Sequence, residues 1–282
     1  MSCKRYKLTI AYDGSTFEGW QKQKKGRTVQ SVLEEKLAVR FQTAITIHGA
    51  GRTDTGVHAQ GQVAHCDLAL EETEDAVQIL QRSLNRMLAG ESIHISKIES
   101  VTSDFHARYS ATGKHYVYRI RNVEKPLLKN YSLLFPTRLD MNKLCEAATM
   151  LCGKHDFKAL ANENHKGTAA INSVREIWDI VIIPIGACLE IHFIGQGFLY
   201  KMVRNCTALL LDIASGKRDM NAIQAMFETK QRPTHLMCAP PQALTLFEVF
   251  YSSEAHAVTS TQLNKFKASM TRATAQVPSL YL

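Results

Sequence analysis

The chain offers no run long and apolar enough to span a membrane. A crossing helix needs roughly 18 or more apolar residues without charge, and the best stretch, Trp178 to Ile194, is broken by Asp179, Pro184 and Glu190. A hydrophobic leader is missing too. Lys4, Arg5 and Lys7 are followed by an apolar stretch that meets Asp13 almost at once, so no secretory signal is expected. The seven cysteines (Cys3, Cys66, Cys145, Cys152, Cys188, Cys206 and Cys238) are odd in number and form no CxxC pair. That scatter argues against a zinc site and against a disulfide framework, and leads us to expect a soluble protein of the reducing cytoplasm.

What is present is a globular balance. The 282 residues are 45% apolar and 21% charged, which excludes disorder. At roughly 150 residues per domain the length gives about two domains, each able to bury a core. Lys and Arg number 34 against 26 Asp and Glu, a formal net charge of +8. A basic surface attracts phosphates without reading any sequence, so a polyanionic partner is the first suspicion, although a basic enzyme that binds no nucleic acid would show the same balance.

Periodicity sketches the elements. Tyr6, Leu8 and Ile10 alternate before a turn at Asp13-Gly14, which reads as a strand. Thr28 caps an expected helix through Val29, Val32, Leu33 and Leu37. Ile45–Ile47 and Gln62–His65 read as short strands flanking a glycine-rich loop. A helix from Thr73 through Ala76, Leu80, Leu84, Met87 and Leu88 ends at Gly90, and Ile93–Val101 is the next strand. The second half opens near Asp104, with a strand at Tyr116–Ile120. Asp140 then caps a helix through Leu144, Ala148 and Leu151 that stops at Gly153. Strands at Val174–Ile183 and Ala187–Ile194 precede a helix carrying Leu199, Met202, Val203, Cys206, Leu210 and Ile213 on one stripe, and Leu244–Tyr251 reads as a closing strand. Without a regular βαβ rhythm, the pattern favours α+β with mostly antiparallel sheets over a doubly wound fold. Domains are expected at residues 1–105 and 106–252, with the active-site cleft between them. Residues 253–282, rich in Ser, Thr, Ala and Lys, form a peripheral tail.

Three segments can carry chemistry. In the first, His48 is followed by Gly-Ala-Gly-Arg-Thr-Asp-Thr-Gly-Val-His. Its glycines permit close backbone approach, and a loop can deliver Arg52 and Asp54 together to a phosphate-bearing substrate; a hairpin whose Asp54 bonds its own backbone is the plainer alternative. The second runs from His106-Ala-Arg108-Tyr109 through Lys114 to Tyr116, Tyr118, Arg119 and Arg121. Two tyrosines share one strand face and two arginines the other, which suits base stacking with cations on phosphates, or else a half-buried strand with a solvated basic edge. In the third, Arg204 lies roughly 140° from the apolar stripe of its helix at 100° per residue, so it need not enter the core, and it matters only if a carboxylate faces it.

In this order and spacing the three segments resemble the TruA family of tRNA pseudouridine synthases. The likeness runs from about Tyr6 to Tyr251. It includes Ala11-Tyr-Asp-Gly-Ser-Thr-Phe-Glu-Gly-Trp20-Gln and Thr28-Val-Gln-Ser-Val-Leu-Glu, and the Gly-Arg-Thr-Asp core with its Gly-Val-His is its most specific part. The resemblance implies that Asp54 is the essential aspartate, that Arg52 flips and holds the target nucleotide, that Tyr116 stacks on the base, that Arg204 pairs with Asp54, and that Leu244 packs on the base. Arg108 and Lys114 join the expected substrate-binding residues. The chain departs from the family at Ala243, where a glycine is usual, and at Cys206-Thr-Ala, where Ile-Val-Gly is usual. The implied substrate is uridine at positions 38–40 of the tRNA anticodon arm and the implied working unit a homodimer. No metal and no cofactor are implied.

These residue types fit the reaction. Breaking the C1′–N1 bond puts positive character on the ribose, which one ionised carboxylate can attack or stabilise; a base that generates a glycal is the other route. A carboxylate in a dry pocket stays ionised only beside a cation. The flipped nucleotide costs a few kcal/mol to unstack, which stacking on Tyr116 offsets. Two rival readings are a tRNA-binding or chaperone module without catalysis, which would not need the carboxylate, and a phosphodiesterase, which would need clustered acids around metal ions; Asp67 and Asp104 form no such pattern with Asp54.

Overall fold

The computed structural model describes residues 3–162, 172–186, 188–252 and 254–274, the side chains of the last stretch as far as residue 265. Two compact units result: Met1–Ala111 with Thr245–Tyr251, and Thr112–Leu244 with Ser252–Leu282.

The first unit is built on β1 (Lys4–Tyr12), whose alternation buries Tyr6, Leu8, Ile10 and Tyr12 on one face. It lies between β3 (His58–Leu68) and β4 (Ile93–Val101), antiparallel to both, with Leu8 opposite Ala64 on one side and Ile98 on the other. The expected helices are here. In α1 (Val29–Phe41), Thr28 and Ser31 cap each other reciprocally: the Thr28 hydroxyl accepts the Ser31 N–H and the Ser31 hydroxyl accepts the Thr28 N–H, both at 3.2 Å, satisfying amides that have no helical partner. In α2 (Glu74–Met87), Thr73 is the cap and Leu80 and Leu84 are buried. Two departures from the sequence reading occur. Ile45–Ile47 is not a strand; the paired residues are β2 (His48–Gly49), opposite His65 and Ala64 of β3. And β10 (Leu244–Phe250) runs parallel to β3, with Thr245 opposite His58, an exception in a unit otherwise antiparallel.

The second unit orders β5 (Gly113–Arg121), β9 (Cys188–Gly195), β8 (Val174–Ile185) and β7 (Gly153–Asp156) in an antiparallel sheet, while β6 (Leu133–Leu134) adds to β5 in parallel. Asp140 caps α3 (Met141–Leu151), accepting from Asn142 and Lys143, and Gly153 follows the helix at φ +102°, the left-handed conformation that ends a helix without a Cβ penalty. The apolar stripe forms α4 (Met202–Ala214), and α5 (Asn221–Thr229) follows. Residues 255–274, expected as a tail, form a helix, α6 (Ala255–Thr274), that lies against β8 and β9; His256 stacks on Trp178 with ring centroids 3.9 Å apart. Residues 275–282 lie outside the described residues. No helix among the described residues is long and apolar enough to cross a membrane.

Strand β9 is buried on both faces, and its polar side chains are bonded accordingly. Glu190 accepts from Arg119 Nε at 2.6 Å and lies 3.1 Å from His192, whose Nδ1 meets His115 Nε2 at 2.9 Å. The expected solvated basic edge of β5 is therefore not there: Arg119 is committed to Glu190, and Arg121, 3% exposed, donates to the Ser132 carbonyl and hydroxyl. Burial, reinforced by His192 and opposed by Glu190, pushes the His115 imidazole from an ordinary 6.5 down to about 3. Between those values the unfolded chain binds a proton that the folded chain does not, so the stability contributed is present above pH 6.5 and is lost as the pH falls. Denaturant melts from pH 7.5 to 5 are expected to show stability declining by up to about 1.4 kcal/mol per pH unit. Burial pushes His65 down as well, to about 4, so His115→Asn is expected to make the slope shallower without removing it, and an unchanged slope in the variant would assign the loss elsewhere.

Candidate active site

The first unit supplies the aspartate loop. Between β2 and β3 the chain is tied at almost every residue except those meant to face outward. Ala50 donates to the Val63 carbonyl at 2.7 Å. The buried Gln62 amide donates to Gly51 O at 2.9 Å. Tyr12 Oη and Thr53 Oγ1 share a 2.7 Å hydrogen bond, and the Thr53 carbonyl accepts the Trp20 N–H at 3.2 Å. Burial pushes the Tyr12 phenol well above its ordinary value, so that ring stays neutral and anchors Thr53 as a hydroxyl. Asp54 then opens a turn closed by its own carbonyl, which accepts the Val57 N–H at 3.1 Å, with Gly56 at φ +80° in the third position, where a type II turn requires glycine.

The opening run Ala11–Gln21 is the mould for this loop. Gly19, at φ +85°, passes so close that a Cβ there would sit 2.5 Å from the Thr53 carbonyl oxygen. The Gly14 N–H is donated to His58 Nδ1 at 3.1 Å, just after the loop. Trp20 is 1% exposed. Thr53 and Val57 are thus fixed on either side of Asp54, which is half-buried, while Arg52 is exposed and donates to Gln21 Oε1 at 3.3 Å. Arg108 belongs to the same unit but to another segment, the turn at residues 106–110.

The second unit holds the remaining expected residues. Tyr116, on β5, is 8% exposed and its ring meets Phe198 edge-on at 5.4 Å; Lys114, two residues earlier, is half-buried opposite Gly195. Arg204 is a correction. The helical wheel allowed it a solvated face, yet it is 8% exposed and its Nε donates to the Ala239 carbonyl at 2.7 Å. The reason is that α4 is packed on nearly all sides, with Asn205 and Thr207 buried as well, so the strongest apolar stripe does not mark the only covered face.

Arg204 is one of three side chains that fix the segment leading to Leu244. The Tyr118 hydroxyl donates to Pro240 O at 3.0 Å, and Arg232 donates to Leu236 O at 3.0 and 3.2 Å. Arg232 also donates to Asn205 Oδ1 at 2.8 Å, and Asn205 Nδ2 donates to Leu160 O at 2.7 Å. Leu244 is buried directly after this segment, and Ala243, where the family usually has glycine, is fully buried beside it. Sequence reasoning missed Tyr12, Gln62, Asn205, Arg232 and the second role of Tyr118. Tyr12 lies within the quoted opening run and Asn205 follows Arg204, but nothing local distinguished Arg232. Among the described residues no group of three or more His, Cys, Asp or Glu is arranged to hold a metal ion.

A protein-family model described as tRNA pseudouridine synthase matches residues 8–110 and 147–252. The tRNA pseudouridine synthase A 1 of Protochlamydia amoebophila is 42% identical over 254 residues, covering 88% of this chain and 97% of that protein. The tRNA pseudouridine synthase A of Exiguobacterium sibiricum is 38% identical over 248 residues, covering 88% and 97%, and that of Thermodesulfovibrio yellowstonii is 37% identical over 258 residues, covering 87% and 98%.

Proposed function

The chain belongs to the TruA family of tRNA pseudouridine synthases, and from that premise we propose that it converts uridine to pseudouridine at positions 38–40 of the tRNA anticodon arm, with Asp54 as the essential group. The activity is tRNA pseudouridylation, an isomerisation. The N1–C1′ bond breaks, the uracil turns, C5 bonds to C1′, and the C5 proton leaves while N1 gains one. The observation that carries the proposal is the aspartate loop itself. Its backbone is bonded to Trp20, Gln62 and Val63, and its Thr53 hydroxyl to Tyr12, on one side of Asp54, and it is closed by Val57 on the other, which is the rigidity that a group positioned for reaction requires.

Each proposed role follows from residue chemistry. Asp54 attacks C1′ or acts as the base on the glycal route. Arg204 supplies the guanidinium that keeps Asp54 anionic during the reaction. Arg52, exposed and lightly tethered, fills the space the nucleotide vacates and meets its phosphate. Tyr116 offers a flat face to the uracil, Leu244 packs on it, and Arg108 and Lys114 meet the RNA backbone. The same reading makes a cytoplasmic homodimer the working form.

The test is to incubate the protein with an unmodified tRNA transcript and map pseudouridine. The expected result is modification at positions 38–40 by the wild type and none by Asp54→Ala. A wild type that binds the transcript and produces no pseudouridine would support the non-catalytic binding module instead.

A further inference from the structure

The turn at residues 106–110 displays an aromatic ring to solvent at a position locked by hydrogen bonds. Tyr109 is 78% exposed, more than any other Phe, Tyr or Trp among the described residues. His106 Nδ1 accepts both the Arg108 and the Tyr109 N–H, at 3.1 and 3.3 Å. His65, from β3, accepts the Ala107 N–H at 3.1 Å, and the Tyr251 hydroxyl donates to the Ala107 carbonyl at 2.6 Å. Ser110 closes the turn in both directions with His106, at 2.9 Å each way. The Tyr109 ring rests on the His106 ring at 4.3 Å, and the exposed Arg108 guanidinium stands 5.9 Å from it.

His106 is also part of a cavity of about 530 Å³, lined by His48, His65, His106, Thr46, Arg5 and Asp67 among others, a size suited to a small ligand. Its imidazoles line one side of it: His65 stacks on His48 at 5.1 Å and meets His106 edge-on at 4.6 Å, their planes 61° apart. The cavity's one guanidinium is spent internally. Arg5 binds Asp67 with two donors, at 2.8 and 3.0 Å, and the Ser103 and Phe105 carbonyls with Nη1. Burial, with neighbouring positive groups, pushes His65 down to about 4 and lowers His106, so both rings are neutral near pH 7. This imidazole lining is therefore suited to an uncharged aromatic ring rather than to a phosphate, for which Arg108 stands outside.

We propose that the Tyr109 platform and the adjoining imidazole-lined cavity form a second RNA contact, which stacks an unpaired base of the bound tRNA other than the target nucleotide, with that base's phosphate on Arg108. The proposal rests on the tRNA-modifying reading of the chain. The cavity's lining reaches the start of the aspartate loop, at His48, while His65 is seven residues along β3 from His58 at the loop's other end, about 24 Å at 3.4 Å per residue. A flat ring fixed in advance and a cation at its edge are what sequence-tolerant stacking of single-stranded nucleotides uses. The net charge of +8 favours RNA over a neutral protein surface.

Tyr109→Ala, made in the full chain, is expected to raise the KM and the Kd for an unmodified tRNA transcript by about 5- to 150-fold, the range that loss of one stacked base gives. The kcat at saturation should not change, and Tyr109→Phe should behave like the wild type because stacking needs the ring and not the hydroxyl. An unchanged KM and Kd in Tyr109→Ala would overturn the proposal. So would a shift to a smaller species in sedimentation, which would make the ring a contact between two copies of the chain. Should the wild type make no pseudouridine, the functional reading falls, and transcript affinity alone still decides this contact: a loss of fivefold or more supports it and no loss overturns it.

Discussion

Asp54→Asn is expected to lower pseudouridine formation more than about 10⁴-fold while leaving tRNA affinity within about twofold. The substitution keeps the side chain's size and removes its charge, and the neighbouring residues of the loop have ties of their own. Thr53 is held by Tyr12 Oη and by the Trp20 N–H, and Gly51 by Gln62. The variant should therefore melt close to the wild type. The loss falls on the step in which a carboxylate meets the ribose carbon, and groups of that kind cost on the order of 10⁴ to 10⁶ in rate when removed, at least about 5 kcal/mol of barrier. Single-turnover mapping of pseudouridine in a transcript, beside a binding titration, measures both quantities. Turnover within tenfold of the wild type would remove Asp54 from the chemistry. Weakened binding without loss of the saturated rate would move it to a positioning role.

What was legible in the sequence depended on how local the determining contacts are. Strands β1 and β4 and helices α1, α2 and α3 follow from alternation, caps and terminal glycines, signals contained within a dozen residues. Thr28, Asp140 and Gly153 act as their residue types suggest. The reading failed where a partner distant in sequence decides. Ile45–Ile47 has the composition of a strand, but the ladder forms at His48 because His65 and Ala64 of β3 offer their edge there. The parallel pairing of β10 with β3 joins segments nearly two hundred residues apart, and no periodicity encodes it. Arg119 and Arg121 alternate with tyrosines as an exposed basic edge would, but the second face is covered too, and Glu190 and Ser132 occupy them. In the site, Asp54 and Arg52 stood out because three glycines crowd one loop. Arg232 and Asn205 did not, because their purpose lies in carbonyls and amides of other segments.

Arg204→Ala is expected to lower turnover at least 10²-fold, for a reason that a neighbouring variant separates from loosened structure. A guanidinium stays protonated at any working pH, so Arg204 carries a full charge into surroundings that leave it 8% exposed. Its Nε also donates to the Ala239 carbonyl, so truncation removes both a cation and a tie on the segment before Leu244. Leaving that buried carbonyl without this donor costs about 1–3 kcal/mol of stability. Tyr118→Phe removes the adjacent tie, the 3.0 Å bond to the Pro240 carbonyl, at about 0.5–1.5 kcal/mol and changes no charge. If the cation is what Asp54 requires, Arg204→Ala loses 10²-fold or more in kcat with tRNA affinity retained, as breaking a buried charge pair worth about 3–5 kcal/mol would give. Tyr118→Phe should then lose little. Arg204→Lys should fall between them, since an ammonium keeps the charge but cannot reproduce the planar fork whose Nε reaches Ala239. Equal losses in Arg204→Ala and Tyr118→Phe would instead show that both act through the placement of Leu244, with the charge of Arg204 incidental to the reaction.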